Sequence, residues 1–304
     1  MTVTDNISTV HGGLPPDANA AALATQARLE KWRIFALSLP GLALIGIIIF
    51  VPIVWLFGLS FLERGGNFSL MHYERLLHPS YLKTFQTTFE LSFLVTAFCV
   101  VLGYPYSYLM TQASRGWRSI LMMAVLFPFW TSLLVRTYAW LVLLQRRGVI
   151  NTWLVDAGII DQPLRLVHNF TGTAIGMVHI MLPFMVLPLF ASMKTIDRSM
   201  FRAAANLGAT PIQVFWQIFV PMTIPGLFAG VILVFVLCLG FYVTPAVLGG
   251  GRVMMWSMQI ERSIAVYADW GAASALGVVL LVVTLAILVV VARLFGLQHL
   301  TGKR

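Results

Sequence analysis

The chain has 304 residues, of which 59% are hydrophobic and 10% charged, with a formal charge of +9. A soluble domain carries about 25% charged residues, so this balance excludes a soluble fold and requires a membrane-embedded one. The basic residues sit mostly at the ends of apolar segments, where Lys and Arg flank membrane helices, so the positive charge does not imply a nucleic-acid partner.

Residues 1–27 lack periodicity and are expected to form a disordered tail. No basic stretch leads directly into a short apolar core there, as it would in a cleaved signal peptide. Arg28, Lys31 and Arg33 then precede an uncharged run from Ile34 to Leu62, long enough to span a bilayer with some tilt. A polar loop from Glu63 to Lys83 follows. The second expected span, Thr84 to Ser114, holds one charge, Glu90, and the third, ending at Gln145, holds one, Arg136. Residues 146–168 read as a loop with a short interfacial helix starting near Asn151. Asn169 to Met193 is the fourth span, Thr223 to Val243 the fifth and Gly271 to Ala292 the sixth. Pro221, Pro225, Pro245 and Gly249-Gly250-Gly251 are expected to punctuate the uncharged run between Ala203 and Gly251. The expected class is therefore all-α: a polytopic membrane bundle of six helices, one domain over residues 28–304. Two Gly-x-x-x-Gly pairs, Gly172/Gly176 and Gly226/Gly230, allow close helix approach.

The chemistry of enzymes is missing. Cys99 and Cys238 both lie in apolar runs, which argues against a disulfide or a metal site. The histidines have no ligand-like spacing, and His179, inside an apolar run, reads as a helix-packing residue. There is no phosphate-binding loop and no nucleophile elbow. No catalytic residue and no metal ligand are assigned.

The interruption between the fourth and fifth spans, about residues 194–222, has legible local chemistry. Arg202-Ala203-Ala204-Ala205 favours helix, and Gly208 supplies the left-handed position that commonly ends one. Thr210 can cap a second helix with Pro211 at its first position. Ile212, Phe215, Ile218 and Phe219 give that second helix an apolar face. Ala203-Ala204, Gly208, Ala209, Pro211, Ile218 and Pro221 at these spacings resemble the EAA loop of ABC-importer permeases. The family's leading Glu is Arg202 here.

That resemblance implies the type I ABC importer permease fold in a bacterial inner membrane with both termini cytoplasmic. It also implies that the loop docks on a separate ATPase subunit, present as a dimer, where ATP binds. No cofactor is expected on this chain. A second, similar permease chain and an external substrate-binding protein complete the expected assembly, with membrane lipid around it. The predicted inner segments hold a small excess of Lys and Arg, in the direction of that orientation.

Two further stretches resemble the spermidine/putrescine branch of these permeases. They are Phe127-Pro128-Phe129-Trp130-Thr131-Ser132-Leu133-Leu134-Val135-Arg136-Thr137-Tyr138-Ala139-Trp140 and Gly240-Phe241-Tyr242-Val243-Thr244-Pro245-Ala246-Val247-Leu248-Gly249-Gly250. The implied cargo is a polyamine or a related small organic solute, moved by alternating access. An organic cation needs carboxylates, carbonyls or aromatic faces in place of water, which nominates Glu90, Trp130, Tyr138, Phe241 and Tyr242, with Arg136, as the candidate path. At 1.5 Å per residue, Glu90 and Arg136 fall at similar depth, so they are expected to pair. A secondary transporter driven by an ion gradient is the alternative class. It would need coupling-ion residues and related halves, and no internal repeat is visible.

Overall fold

The computed structural model describes residues 16–63 and 67–294. The chain divides into two units, Met1–Leu56 and Phe57–Arg304. The first is carried by α1 (Pro16–Leu59), whose aliphatic side chains between Ile34 and Phe57 are exposed around the helix. The helix opens at Pro16, inside the stretch expected to be disordered. The sequence from Ala18 to Leu29 is alanine-rich and therefore a good helix former, which a search for amphipathic periodicity overlooks. Residues 1–15 lie outside the described residues.

In the second unit, α2 (Met71–Leu76) and α3 (Pro79–Gln112) follow the first span. The α3 helix starts before the apolar run because Pro79 occupies its first position and the His78 ring accepts from the Ser80 amide at 3.4 Å. Its 34 residues make it about 51 Å long, well beyond the ~30 Å hydrocarbon layer. Within α3 the buried hydroxyls of Thr84, Thr88 and Thr96 donate to carbonyls one turn back, whereas the buried Ser92 hydroxyl has no partner among the described residues.

The expected third span is not one helix. It comprises α4 (Arg115–Leu126), a 3-10 turn over Phe127–Trp130 and α5 (Leu133–Leu143), bent by 103°. Pro128 starts the turn, the Thr131 hydroxyl donates to the Pro128 carbonyl at 2.8 Å, and Thr131 itself is extended. Long apolar helices thus number five among the described residues, or six with the bent pair taken as one span. The expected interfacial helix is α6 (Val149–Asp156). Its fully buried Asn151 donates to the carbonyls of Gln145 and Leu164 and accepts from the Leu164 amide, closing the loop upon itself.

Then come α7 (Phe170–Lys194), α8 (Arg198–Asn206), α9 (Pro211–Val214), a π-helical turn over Phe215–Phe219 and α10 (Val220–Leu239). The segment from Pro211 to Leu239 is one continuous helix, so Pro221 and Pro225 do not punctuate it. A proline ring clashes with the carbonyl four residues back, here Gln217. The π-helical turn places that carbonyl in a wider turn, where the helix bends without breaking. The chain ends with α11 (Val243–Leu248), α12 (Trp256–Ala265) and α13 (Trp270–Leu294).

The core sits where α3, α7 and α10 meet. It holds Leu91, Val95 and Cys99 of α3, Met177, Met181 and Met185 of α7, and Val234 and Cys238 of α10. The flexible thioethers suit the irregular gaps beside α7, which carries Pro183 and Pro188 in its interior. The glycine pairs serve this packing within the chain. A Cβ on Gly176 would run into Leu248 and Thr244 of α11, and one on Gly230 would lie 2.7 Å from Met185 Sδ. The α12 helix lies between the expected fifth and sixth spans. It is held by Trp256, whose amide donates to Thr88 Oγ1 at 2.8 Å and whose indole donates to the Leu276 carbonyl at 2.9 Å.

Candidate translocation path and coupling loop

The loop between α7 and α10 is built by local rules. Asp197 caps α8, accepting from the Ser199 amide at 2.8 Å and hydroxyl at 2.6 Å. These bonds hold the Asp197 carboxyl below the usual carboxylate range, with the Arg202 charge adding to the effect. Its capping contribution is therefore complete above the ordinary Asp titration range and is lost as pH falls through the lowered value. Phe201 and Ala204 face inward, while Arg202 and Ala203 face out.

The end of α8 is a Schellman motif: the Ala209 amide donates to the Ala204 carbonyl and the Gly208 amide to that of Ala205, both at 3.0 Å. That geometry requires a left-handed residue, and Gly208 has φ +84°. The alanine run therefore supplies both helix propensity and the two accepting carbonyls. Thr210 then forms a capping box: its hydroxyl accepts from the Gln213 amide, and Gln213 Oε1 accepts from the Thr210 amide at 2.8 Å. Thr210→Ala should cost about 0.5–2 kcal/mol of local stability. The check is faster amide exchange at residues 212–214, with the transmembrane helices unchanged.

Behind the loop lies an aromatic brace. Tyr108 of α3 stacks edge-on against Phe215 and Phe219 at 5.6 and 5.2 Å, and Phe201 of α8 lies 6.1 Å from Phe219. These rings join Leu189 and Met193 of α7 in one cluster, so α8 is tied to α3, α7 and the base of α10. Phe215, Ile218 and Phe219 take the inward positions expected of them, whereas Ile212 is 72% exposed. Leu207 is 89% exposed and Trp216 64%. Sequence reasoning missed these three as a surface. The available signal was apolar side chains placed next to Gly208 and Pro211, in a segment short of charges.

The candidate path residues do not converge on one pocket. Glu90 is exposed and accepts from Gln86 Nε2 of its own helix at 2.7 Å. Arg136 makes no ion pair, and its Nε has no hydrogen-bond partner among the described residues. The expected Glu90–Arg136 pair is therefore not formed. The ion pair that does form among the described residues is Arg75–Asp269, at 3.6 Å.

Arg136 instead belongs with Trp140, one turn later on α5, and His179 of α7. The Trp140 indole donates to His179 Nδ1 at 3.1 Å, and the Arg136 charge reaches His179. His179 is thus the hydrogen-bonded packing residue expected of it. Trp130, 76% exposed, ends the 3-10 turn of the broken third span, and Tyr138 is exposed on α5.

Phe241 and Tyr242 form a second break, after α10 ends at Gly240. The Phe241 carbonyl, freed by that break, accepts from Ser257 Oγ at 2.7 Å. From there α11 packs back on α5, with Thr137 and Thr244 hydroxyls 3.3 Å apart in the buried contact. Non-helical backbone at membrane depth is tolerated where protein or a water-filled cavity surrounds it. Two such breaks, one between α4 and α5 and one between α10 and α11, lie in neighbouring elements of the bundle.

No family model matches the chain. The spermidine/putrescine transport system permease protein PotB of Haemophilus influenzae is 32% identical over 269 residues, covering 86% of this chain and 90% of that protein. PotB of Escherichia coli is 32% identical over 241 residues, covering 77% of this chain and 88% of the relative. Among solved structures, the bacterial alginate ABC transporter in complex with an alginate pentasaccharide-bound periplasmic protein superposes with a TM-score of 0.72. At 18% identity it covers 91% of this chain and 98% of the matched chain, a likeness of fold. The resemblance carried by the loop and the two breaks is thereby borne out: the chain belongs to the ABC-importer permease family, in its spermidine/putrescine branch, and is a transport subunit, not an enzyme.

Proposed function

We propose that this chain is one of two membrane-spanning subunits of a polyamine importer, powered by a separate ATPase dimer that contacts the exposed side of residues 198–216. The observation that carries this reading is the loop itself, in which a Schellman turn at Gly208 and a capping box at Thr210 fix two helices over an aromatic brace. A second permease chain, similar and not identical, and an external binding protein complete the assembly. The chain holds no cofactor, ATP residing on the partner. Both termini lie on the ATPase side of the inner membrane.

The working stroke runs through α9 and α10. Pro211–Leu239 is a 29-residue continuous helix, about 43 Å long, that reaches from the loop to the Gly240 break. Closing of the ATPases displaces α8. The cluster of Phe201, Phe215 and Phe219 passes that displacement to the base of the rod. Its far end shifts the Phe241–Tyr242 break and α11, which rests on α5 and Arg136's neighbour Thr137. Coupling therefore falls to Arg202, Ala203, Ala204, Gly208, Ala209, Pro211, Ile218 and Pro221. The path falls to Glu90, Trp130, Arg136, Tyr138, Phe241 and Tyr242.

The complex reconstituted in liposomes with its binding protein should take up putrescine or spermidine only when ATP is supplied. A binding protein that ignores both amines and selects an anion or a sugar would overturn the substrate and leave the importer standing.

A further inference from the structure

At the end of the membrane that carries the coupling loop, the second unit encloses a cavity of about 200 Å³. Its rim holds Arg118 of α4, Lys194 at the last turn of α7 and Arg198 at the first turn of α8, and among the described residues no carboxylate lines it. Asp197 lies next in sequence to Arg198, but its two oxygens are engaged by the Ser199 amide and hydroxyl. Arg198 is held in place by donating from Nη2 to the Thr111 carbonyl at 3.1 Å, which commits one of the five donors of its fork. The carbonyl ends of α3 and α7 soften the three positive charges and do not neutralise them. The floor is apolar, made by the buried side chains of Phe190, Met193 and Phe219.

We propose that this cavity is a binding site for the phosphate group of an anionic phospholipid drawn from the cytoplasmic leaflet. The cytoplasmic placement rests on the orientation proposed above. A cationic rim over an apolar floor, at the level where helices leave the membrane, matches a molecule with an acidic head and a hydrocarbon body. A soluble phosphate would gain nothing from the phenylalanine floor. The consequence is regulatory, because Arg198 and Phe201, both on α8, line the same cavity. A seated headgroup bridges α4, α7 and α8 and so stiffens the coupling helix against the bundle.

The test is native mass spectrometry of the purified complex after equilibration with mixed phosphatidylglycerol and phosphatidylcholine. Phosphatidylglycerol should stay bound in preference to phosphatidylcholine. Arg118→Gln, Lys194→Gln and Arg198→Gln combined should reduce its retention about tenfold, while Arg118→Lys with Arg198→Lys keeps it. If the triple variant fails to assemble, the preference of the unmodified complex between the two lipids decides alone. Equal retention of both lipids, or full retention by the triple glutamine variant, would overturn the site. Displacement of phosphatidylglycerol by millimolar inorganic phosphate would assign it to the soluble anion and overturn the lipid. None of these readouts depends on transport, so a failed uptake assay and a failed lipid site remain distinguishable.

Discussion

Replacing Gly208 by valine should leave the chain inserted and folded in the membrane but uncouple it from ATP hydrolysis. Among the described residues, nothing beyond its own chain neighbours lies within 4 Å of where a Cβ on Gly208 would stand, so the substitution meets no clash. The cost is conformational: a β-branched residue held at φ +84° loses about 1–2 kcal/mol relative to glycine. That is a factor of about 5–30 in the population of the native turn. Escape from the left-handed region breaks the two Schellman bonds and releases Thr210 from its position over α9. Folded yield should match the parent, whereas substrate-stimulated ATP hydrolysis should fall by roughly the same factor of 5–30. Gly208→Asn, which tolerates the left-handed region, should recover most of it. Full coupling in the valine variant would reduce the loop to a plain corner between helices.

The opposite pattern is expected at Gly226, where the effect should fall on folding. A Cβ there would overlap the Ser192 Cβ, lie 2.8 Å from its hydroxyl, and stand 3.1 Å from the Pro188 carbonyl. The carbonyl belongs to the backbone of α7 and cannot rotate away as a side chain can. Overpacking of a tight core costs about 1–3 kcal/mol where neighbours can move. Gly226→Val should exceed that range, because α7 and α10 must separate to accept it. Gly277→Ala on α13 is the comparison, since among the described residues nothing outside its own helix lies within 4 Å of where its Cβ would stand. Size-exclusion profiles should show the Gly226 variant lost to aggregation and the Gly277 variant eluting as the parent. A monodisperse Gly226 variant would mean that the helices do not meet this closely.

What could be read from sequence was what local chemistry decides. The Gly208 turn, the Thr210 cap and the short helix expected from about Asn151, which begins two residues earlier at Val149, depend on residues within a few positions of one another. Depth and pairing depend on helix paths, and there the reading failed. Placing Arg136 by counting inward from Arg146 assumed a straight third span, and the 103° bend removes that assumption. Glu90 is then left to Gln86, and Arg136 to the company of Trp140 and His179. Pro221 and Pro225 looked like breaks because the π-helical turn that accommodates Pro221 has no signature of its own. The short helices α2 and α12 leave no periodic signal, since six and ten residues with mixed polarity give too few turns for a period to emerge.

The central claim is that the exposed side of the loop meets an ATPase at the inner membrane surface. Leu207 tests it most directly, because at 89% exposure it can carry a photoreactive group without disturbing the packing behind it. With Leu207 replaced by p-benzoylphenylalanine and illuminated in intact cells, the account predicts one main adduct, an ATPase chain carrying nucleotide-binding motifs. Adducts confined to lipid or to an externally exposed protein would contradict both the orientation and the coupling role of residues 198–216.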